Sequence, residues 1–170
     1  MTTPPCPVLN VANAAESVSE HGVYWGAGTR DLVPAMRAAG GSLGVRNVRV
    51  PPGRTACPFH THAIEDEVFY VLSGTGVLRY GEALHPLRAG DCVSCPAGTG
   101  VAHQLANTGD VDLVYLAIGR RDPHEVCTYP DSGKVMVRSL QTVGYLEGAP
   151  YLDGEPDVPR VFELHDEEQV

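Results

Sequence analysis

The sequence predicts an all-β protein, and three observations carry that prediction. Its 170 residues include 19 Gly and 14 Pro, spread along the chain as turn punctuation. The apolar runs between them are short and rich in β-branched and aromatic residues. Several alternate with the period of two that a half-buried strand requires. At this length one domain can bury a sizeable core, whereas two would each sit near the lower end of common domain sizes, so one domain is expected.

Taken in order, residues 1–25 read as an irregular arm in which Val23, Tyr24 and Trp25 make a first short strand. Residues 31–39 (DLVPAMRAA) suit one helical turn, limited by Pro34 and ended by Gly40 and Gly41. Residues 45–50 (VRNVRV) alternate, with Val48 and Val50 on one face and Asn47 and Arg49 on the other, before a Pro51-Pro52-Gly53 turn. His60 and His62 then stand two apart, a spacing that puts both imidazoles on one face of a strand; Pro58 just upstream disfavours a helix. After a turn-like run over 63–66, Glu67 opens EVFYVL, read as the next strand of a hairpin that returns a carboxylate to the imidazoles.

In EVFYVL, Glu67, Phe69 and Val71 share the interior face and Val68, Tyr70 and Leu72 the other. Both faces are apolar, so both need cover, the second from the arm, the tail or another subunit. Residues 77–80 and 83–87 form a tight hairpin around Gly81-Glu82, with 88–91 the next turn and His85 an ordinary surface histidine. Residues 112–118 (DLVYLAI) are a buried strand. Beyond Gly119 the chain reads as loop, then an edge strand from Lys134, then a polar acidic tail.

Two stretches carry the chemistry. The first runs Gly53, six residues, His60-x-His62, four residues, Glu67, six residues, Gly74; the second runs Gly90, five residues, Pro96-x-Gly98, four residues, His103, three residues, Asn107. In these motifs the chain resembles the cupins, small β-barrels whose patterns are written G-x5-H-x-H-x3–4-E-x6-G and G-x5-P-x-G-x2-H-x3-N. The first gap departs by one residue, and the loop before His103 is two residues longer. The resemblance implies a double-stranded β-helix, or jelly-roll barrel. Its core is expected over 45–119, with an N-terminal arm and first strands over 1–44 and a C-terminal extension with an acidic tail over 120–170. It also implies one metal ion held by His60, His62, Glu67 and His103, and it agrees with the homodimer that the two-sided apolar strand suggests.

Three imidazoles and a carboxylate suit one divalent transition ion, Fe, Mn, Ni, Co or Zn, rather than Cu(I). Four protein ligands on an octahedral ion leave two adjacent positions for substrate, which favours an enzyme acting on a small oxygenated organic molecule. A dioxygenase is preferred, with a metal-dependent isomerase, epimerase or lyase such as a sugar phosphate isomerase as the alternative, and a non-catalytic small-molecule-binding protein as the third reading. Interior Phe69, Val71 and Leu105 predict a dry pocket with one polar focus. A phosphate substrate would call on Arg49, Arg54 or Arg79 at the mouth. Asn107 is expected to fix a turn, and Cys57 is a candidate thiol near the mouth.

The formal charge of −9 is concentrated in the tail, where seven acidic residues and one Arg from Asp153 onward give −7 + 1 = −6. With no basic stripe on such a chain, nucleic-acid binding is not expected. Five cysteines, an odd number, and no leader pattern point to the cytoplasm. Cys92 and Cys95, three apart, face opposite sides of a strand and so do not chelate one ion. No run is long and apolar enough for a membrane span.

Overall fold

The computed structural model describes residues 6–167 and is built almost entirely of antiparallel strands. In chain order these are β1 (Ser17–His21) and β2 (Trp25–Asp31), a short helix α1 (Pro34–Ala38), β3 (Leu43–Val50), β4 (Thr61–His62) and β5 (Glu67–Ser73). Then follow β6 (Thr75–Tyr80), β7 (Ala83–Arg88), β8 (Cys92–Cys95), β9 (His103–Ala106) and β10 (Leu113–Arg120). The C-terminal part adds β11 (Val126–Tyr129), β12 (Lys134–Val137), β13 (Thr142–Gly144) and a helix α2 (Arg160–Glu167).

The strands make a six-stranded sheet in the order β1-β2-β3-β10-β5-β8, a four-stranded sheet β13-β12-β11-β4 and a three-stranded sheet β7-β6-β9. Their inner faces enclose one core, in the double-stranded β-helix arrangement that the two motifs imply. Val48, Val50, Phe69, Val71, Leu105, Leu113 and Tyr115 are its centre, each at most 5% exposed. At about 1.5–3 kcal/mol for each large side chain taken from water, this face-by-face burial fixes the register. Phe69 and Tyr115 meet edge to face with centroids 5.7 Å apart. Among the described residues no helix is long and apolar enough to cross a membrane.

Several expectations hold. The β6–β7 hairpin turns at Gly81-Glu82, and the turn after Arg88 closes through the Asp91 N–H on the Arg88 carbonyl. His85 is exposed, and β8 shows Cys92 outside and Cys95 buried. Asn107 donates to the carbonyls of Val50 and Val111 and accepts from Gly109 N–H, tying the turn between β9 and β10 to the end of β3.

Others need correction. The arm contains β1, and Val23 and Tyr24 lie in the turn between β1 and β2, so only Trp25 of the expected trio is strand. β4 and β5 are not a hairpin: β4 pairs with β11, and β5 pairs with β10 and β8. The chain turns a corner over 63–66 and changes sheet. The expected loop after Gly119 contains β11, and β12 is interior to its sheet, with β13 at the edge. β11 pairs with β4 across the fold, a tertiary contact that local composition does not reveal, and β12 and β13 build on it as successive neighbours.

Candidate metal centre

Each donor is delivered by a different part of the fold. His62 ends β4, Glu67 begins β5 and His103 begins β9, while His60 bridges backbone to backbone with His103 through reciprocal N–H to carbonyl bonds of 3.2 and 2.9 Å. The sequence predicts His60, His62 and Glu67 on adjacent strands; instead His62 stands on the four-stranded sheet, Glu67 on the six-stranded sheet, and His60 in a bridge to His103. The longer loop before His103 is accommodated by Gly98 and Gly100, both at φ near +70°, a left-handed conformation that side-chain-bearing residues rarely adopt. That loop leaves His103 at 2% exposure and aimed at the cluster.

All four side chains converge. The Nε2 atoms of His103, His62 and His60 lie 3.0, 3.2 and 3.8 Å from the same oxygen, Glu67 Oε2. One donor atom from each residue falls within 4.8 Å of every other. Two donors on one ion at about 2.1 Å can be at most about 4.2 Å apart, so small side-chain shifts would close the set. His60 Nδ1 lies 2.8 Å from the Pro58 carbonyl, which fixes the tautomer with Nδ1 protonated and leaves the Nε2 lone pair facing the cluster. His62 Nε2 is buried without a hydrogen-bond partner, since Glu67 lies near it but outside hydrogen-bonding geometry. An orphaned imidazole nitrogen amid three other donors fits a cation there.

The electrostatics agree. Burial, followed by the neighbouring His103, lowers the His60 pKa to about 4, so this ring stays neutral and available as a ligand. Burial would raise Glu67, but the hydrogen bond from His103 and the adjacent His62 override it and hold the carboxyl well below its usual range. Burial would likewise lower His62, and its contacts with Cys127 and Glu67 instead raise it to about 10. The cluster thus attracts one positive charge, which a proton or a metal ion can supply. For Cys57, burial and then the Glu67 charge push the thiol up to about 12, so it remains protonated and is no nucleophile.

Residues outside both motifs complete the support. Glu125, fully buried just before β11, accepts the backbone N–H groups of Ala63, Ile64 and Glu65 at 2.7, 3.2 and 2.6 Å. It thereby holds the corner that carries the chain from His62 to Glu67. His62 Nδ1 faces Cys127 Sγ at 3.4 Å and Glu125 Oε1 at 3.8 Å. Arg138 in turn pairs with Glu65 and donates to the Asp122 carbonyl. Sequence reasoning missed this set because its members sit in a stretch without strand alternation.

Above the cluster opens a cavity of about 410 Å³ whose lining includes His60, His62, Glu67, Tyr129 and five arginines. The expected dry pocket is therefore wrong: Phe69, Val71 and Leu105 pack in the core, and charged side chains share the wall with Val33, Leu43 and Met136. Nor do the expected arginines line it. Arg49 pairs with Glu16 and Asp112, Arg54 with Glu20, and Arg79 with Asp131 while stacking over Phe59. Gly119 keeps the floor open, since a Cβ there would come within 3.3 Å of Glu67 Cγ.

Comparison with known proteins gives a consistent picture. A family model described as the cupin domain matches residues 46–119. A sugar phosphate isomerase from a cupin superfamily of Silicibacter pomeroyi is structurally similar, with a TM-score of 0.72, 27% identity, and coverage of 85% of this chain and 96% of that one. A protein of Acidithiobacillus ferrooxidans, named provisionally as a sugar phosphate isomerase, is similar at a TM-score of 0.60 and 30% identity, covering 69% and 74% of the two chains. The oxalate-binding protein of Thermotoga maritima is 37% identical over 71 residues, 42% of this chain and 56% of that one. The chain spans about half the length of the curated relatives it matches.

Proposed function

The chain belongs to the cupin family, and from that premise we propose that it is a metal-dependent enzyme acting on a small oxygenated organic molecule, with His60, His62, Glu67 and His103 holding one divalent transition ion. The observation that carries this reading is the convergence of three imidazole Nε2 atoms on one carboxylate oxygen at the floor of an open cavity, one of them buried and unpartnered. A purely structural metal site would be closed off from solvent space; this one faces a chamber of small-ligand size.

When bound, the ion would supply Lewis-acid polarisation of a substrate oxygen. The protein's own contributions are distinct. Pro58 and the Glu125-held corner orient His60 and His62, and the buried His103 anchors the far side. Tyr129, its ring stacked 6.1 Å from His60, lines the cavity and offers a neutral hydrogen-bond donor beside the cluster. The polar wall and the names of the two solved neighbours at 27 and 30% identity support an isomerase-type proton transfer ahead of the dioxygenase favoured on motif chemistry alone.

The test is reconstitution of metal-free protein with Fe(II), Mn(II), Ni(II), Co(II) and Zn(II) against sugar phosphates, keto acids, diketones and thiols, following isomerisation and oxygen uptake separately. Oxygen-independent turnover is expected. Oxygen uptake with Fe(II) alone would select the dioxygenase, and tight binding without turnover under every metal would replace the enzyme with a binding protein.

A further inference from the structure

We propose that Arg46 and Arg121 bind an anionic oxygen group, phosphate or carboxylate, on the molecule that enters the cavity. The inference rests on that cavity being the substrate site and names the class of substrate it takes. Arg37, Arg46, Arg120, Arg121 and Arg138 all line this one cavity, five of the chain's 12 Lys and Arg residues, although the formal net charge is −9. Three are already balanced: Arg37 by Asp31 at 2.8 Å, Arg120 by Asp122 at 2.9 Å, and Arg138 by buried Glu65. Among the described residues, no ion pair or side-chain hydrogen bond engages Arg46 or Arg121. The carboxylates that face the cavity, Asp31, Glu65 and Glu67, are taken by Arg37, Arg138 and the imidazoles. Two uncancelled guanidinium groups therefore remain at the mouth.

Strand register shows where they stand. Across β3, β10 and β5, Gly44, Gly119 and Glu67 lie side by side, and the next row on the same face is Arg46, Ala117 and Phe69. Arg46 thus rises from the face that presents Glu67, two strands across and two residues along, or about 12 Å between backbones. On the Glu67 row the two neighbouring strands carry only Gly44 and Gly119, so no side chain from that row stands between the arginine and a ligand seated beside Glu67. Arg121, just past β10, is held at the same rim by its N–H on the Ser42 carbonyl. A guanidinium fork matches the geometry of phosphate and carboxylate oxygens. A ligand that meets both features is short, with chelating oxygens at one end and negative charge a few bonds away.

The experiment uses matched probes: glycerol 3-phosphate against glycerol, and 3-hydroxybutyrate against 1,3-butanediol, titrated calorimetrically into the metal-free and the Zn(II)-loaded full chain. In at least one pair the charged member is expected to bind at least about tenfold tighter in both forms, a ratio that one charge-assisted hydrogen bond supports; which pair responds distinguishes phosphate from carboxylate. In Arg46→Gln/Arg121→Gln this advantage falls below about twofold with unchanged thermal unfolding. Arg88→Gln, a single charge loss on exposed β7 outside the cavity, keeps it. Retention in the double variant, an equal loss in Arg88→Gln, or no advantage in the wild type would overturn the proposal. So would an advantage confined to the Zn(II)-loaded form, which would assign the anion to the ion. The metal-free arm stands even if the metal-enzyme reading fails, so the two failures are distinguishable.

Discussion

Glu125 is a buried carboxylate whose two oxygens serve three backbone N–H groups, and removing its charge leaves those donors short of acceptors inside the protein. Glu125→Gln keeps the shape but turns one oxygen into a donor facing donors. A loss of about 2–4 kcal/mol in denaturant unfolding is expected, the range for stranded buried polar groups. Because the corner it holds links His62 to Glu67, metal affinity should fall by about tenfold in the same variant, as outer partners of ligands commonly show. The ligands themselves give the sharper test. Elemental analysis of the wild type should return close to one divalent metal per chain, and His60→Ala/His62→Ala should lose it; equal content in both would remove the assignment. At this scale the four donors were legible because their spacing is written in the chain. Arg46 was passed over for Arg49, Arg54 and Arg79, although the alternation that puts Val48 and Val50 inside also puts Arg46 on their face. Arg121 and Glu125 were not legible, as each acquires its place from pairing across the fold.

At the scale of elements, β1 is an edge strand paired with β2 along its length and flanked by the ion pairs of Glu16 and Glu20. Hydrogen bonds from Arg49 hold the Glu16 carboxyl below its ordinary value of 4.5, and Arg30 lies 3.0 Å from it. A depressed carboxyl contributes stability above its unfolded pKa and loses it as pH falls through the folded one. Acidification below about pH 4.5 should therefore loosen β1 before the core, read as faster amide exchange over Ser17–His21 after correction for intrinsic rates. Exchange that stays as slow as in the core would show that backbone pairing with β2 suffices. The strands β3, β5, β6 and β10 were readable because each buries one face against the core, and β7, which buries only Leu87, from its Gly81-Glu82 turn. β11 was not, because its pairing with distant β4 helps make it a strand, and β13 is a three-residue edge strand on β12 with no alternation to reveal it. Helix α2 leaves Val161, Phe162 and Leu164 from 47 to 65% exposed. Truncation after Gly148 should accordingly leave thermal unfolding and metal content unchanged, and a large loss of either would show that the tail docks.

For the whole molecule, the outer face of β5 sets the question of assembly. Tyr70 and Leu72 are 42 and 43% exposed on a strand whose other face is fully in the core, which supports a homodimer as the cover for that face. Sedimentation at micromolar concentration should give twice the 18.1 kDa chain mass; a monomer would leave this face to solvent. One further property follows from where the donors come from. His62, Glu67 and His103 belong to the four-, six- and three-stranded sheets respectively, so a shared ion would act as a clasp across three ribbons, adding to backbone bridges such as that of His60 with His103. Occupancy then becomes cohesion: the tighter the ion is held by the folded chain, the more strongly the three ribbons resist parting, by RT ln(1 + [L]/Kd). The chamber where a substrate would sit is also the seam at which the barrel would come undone.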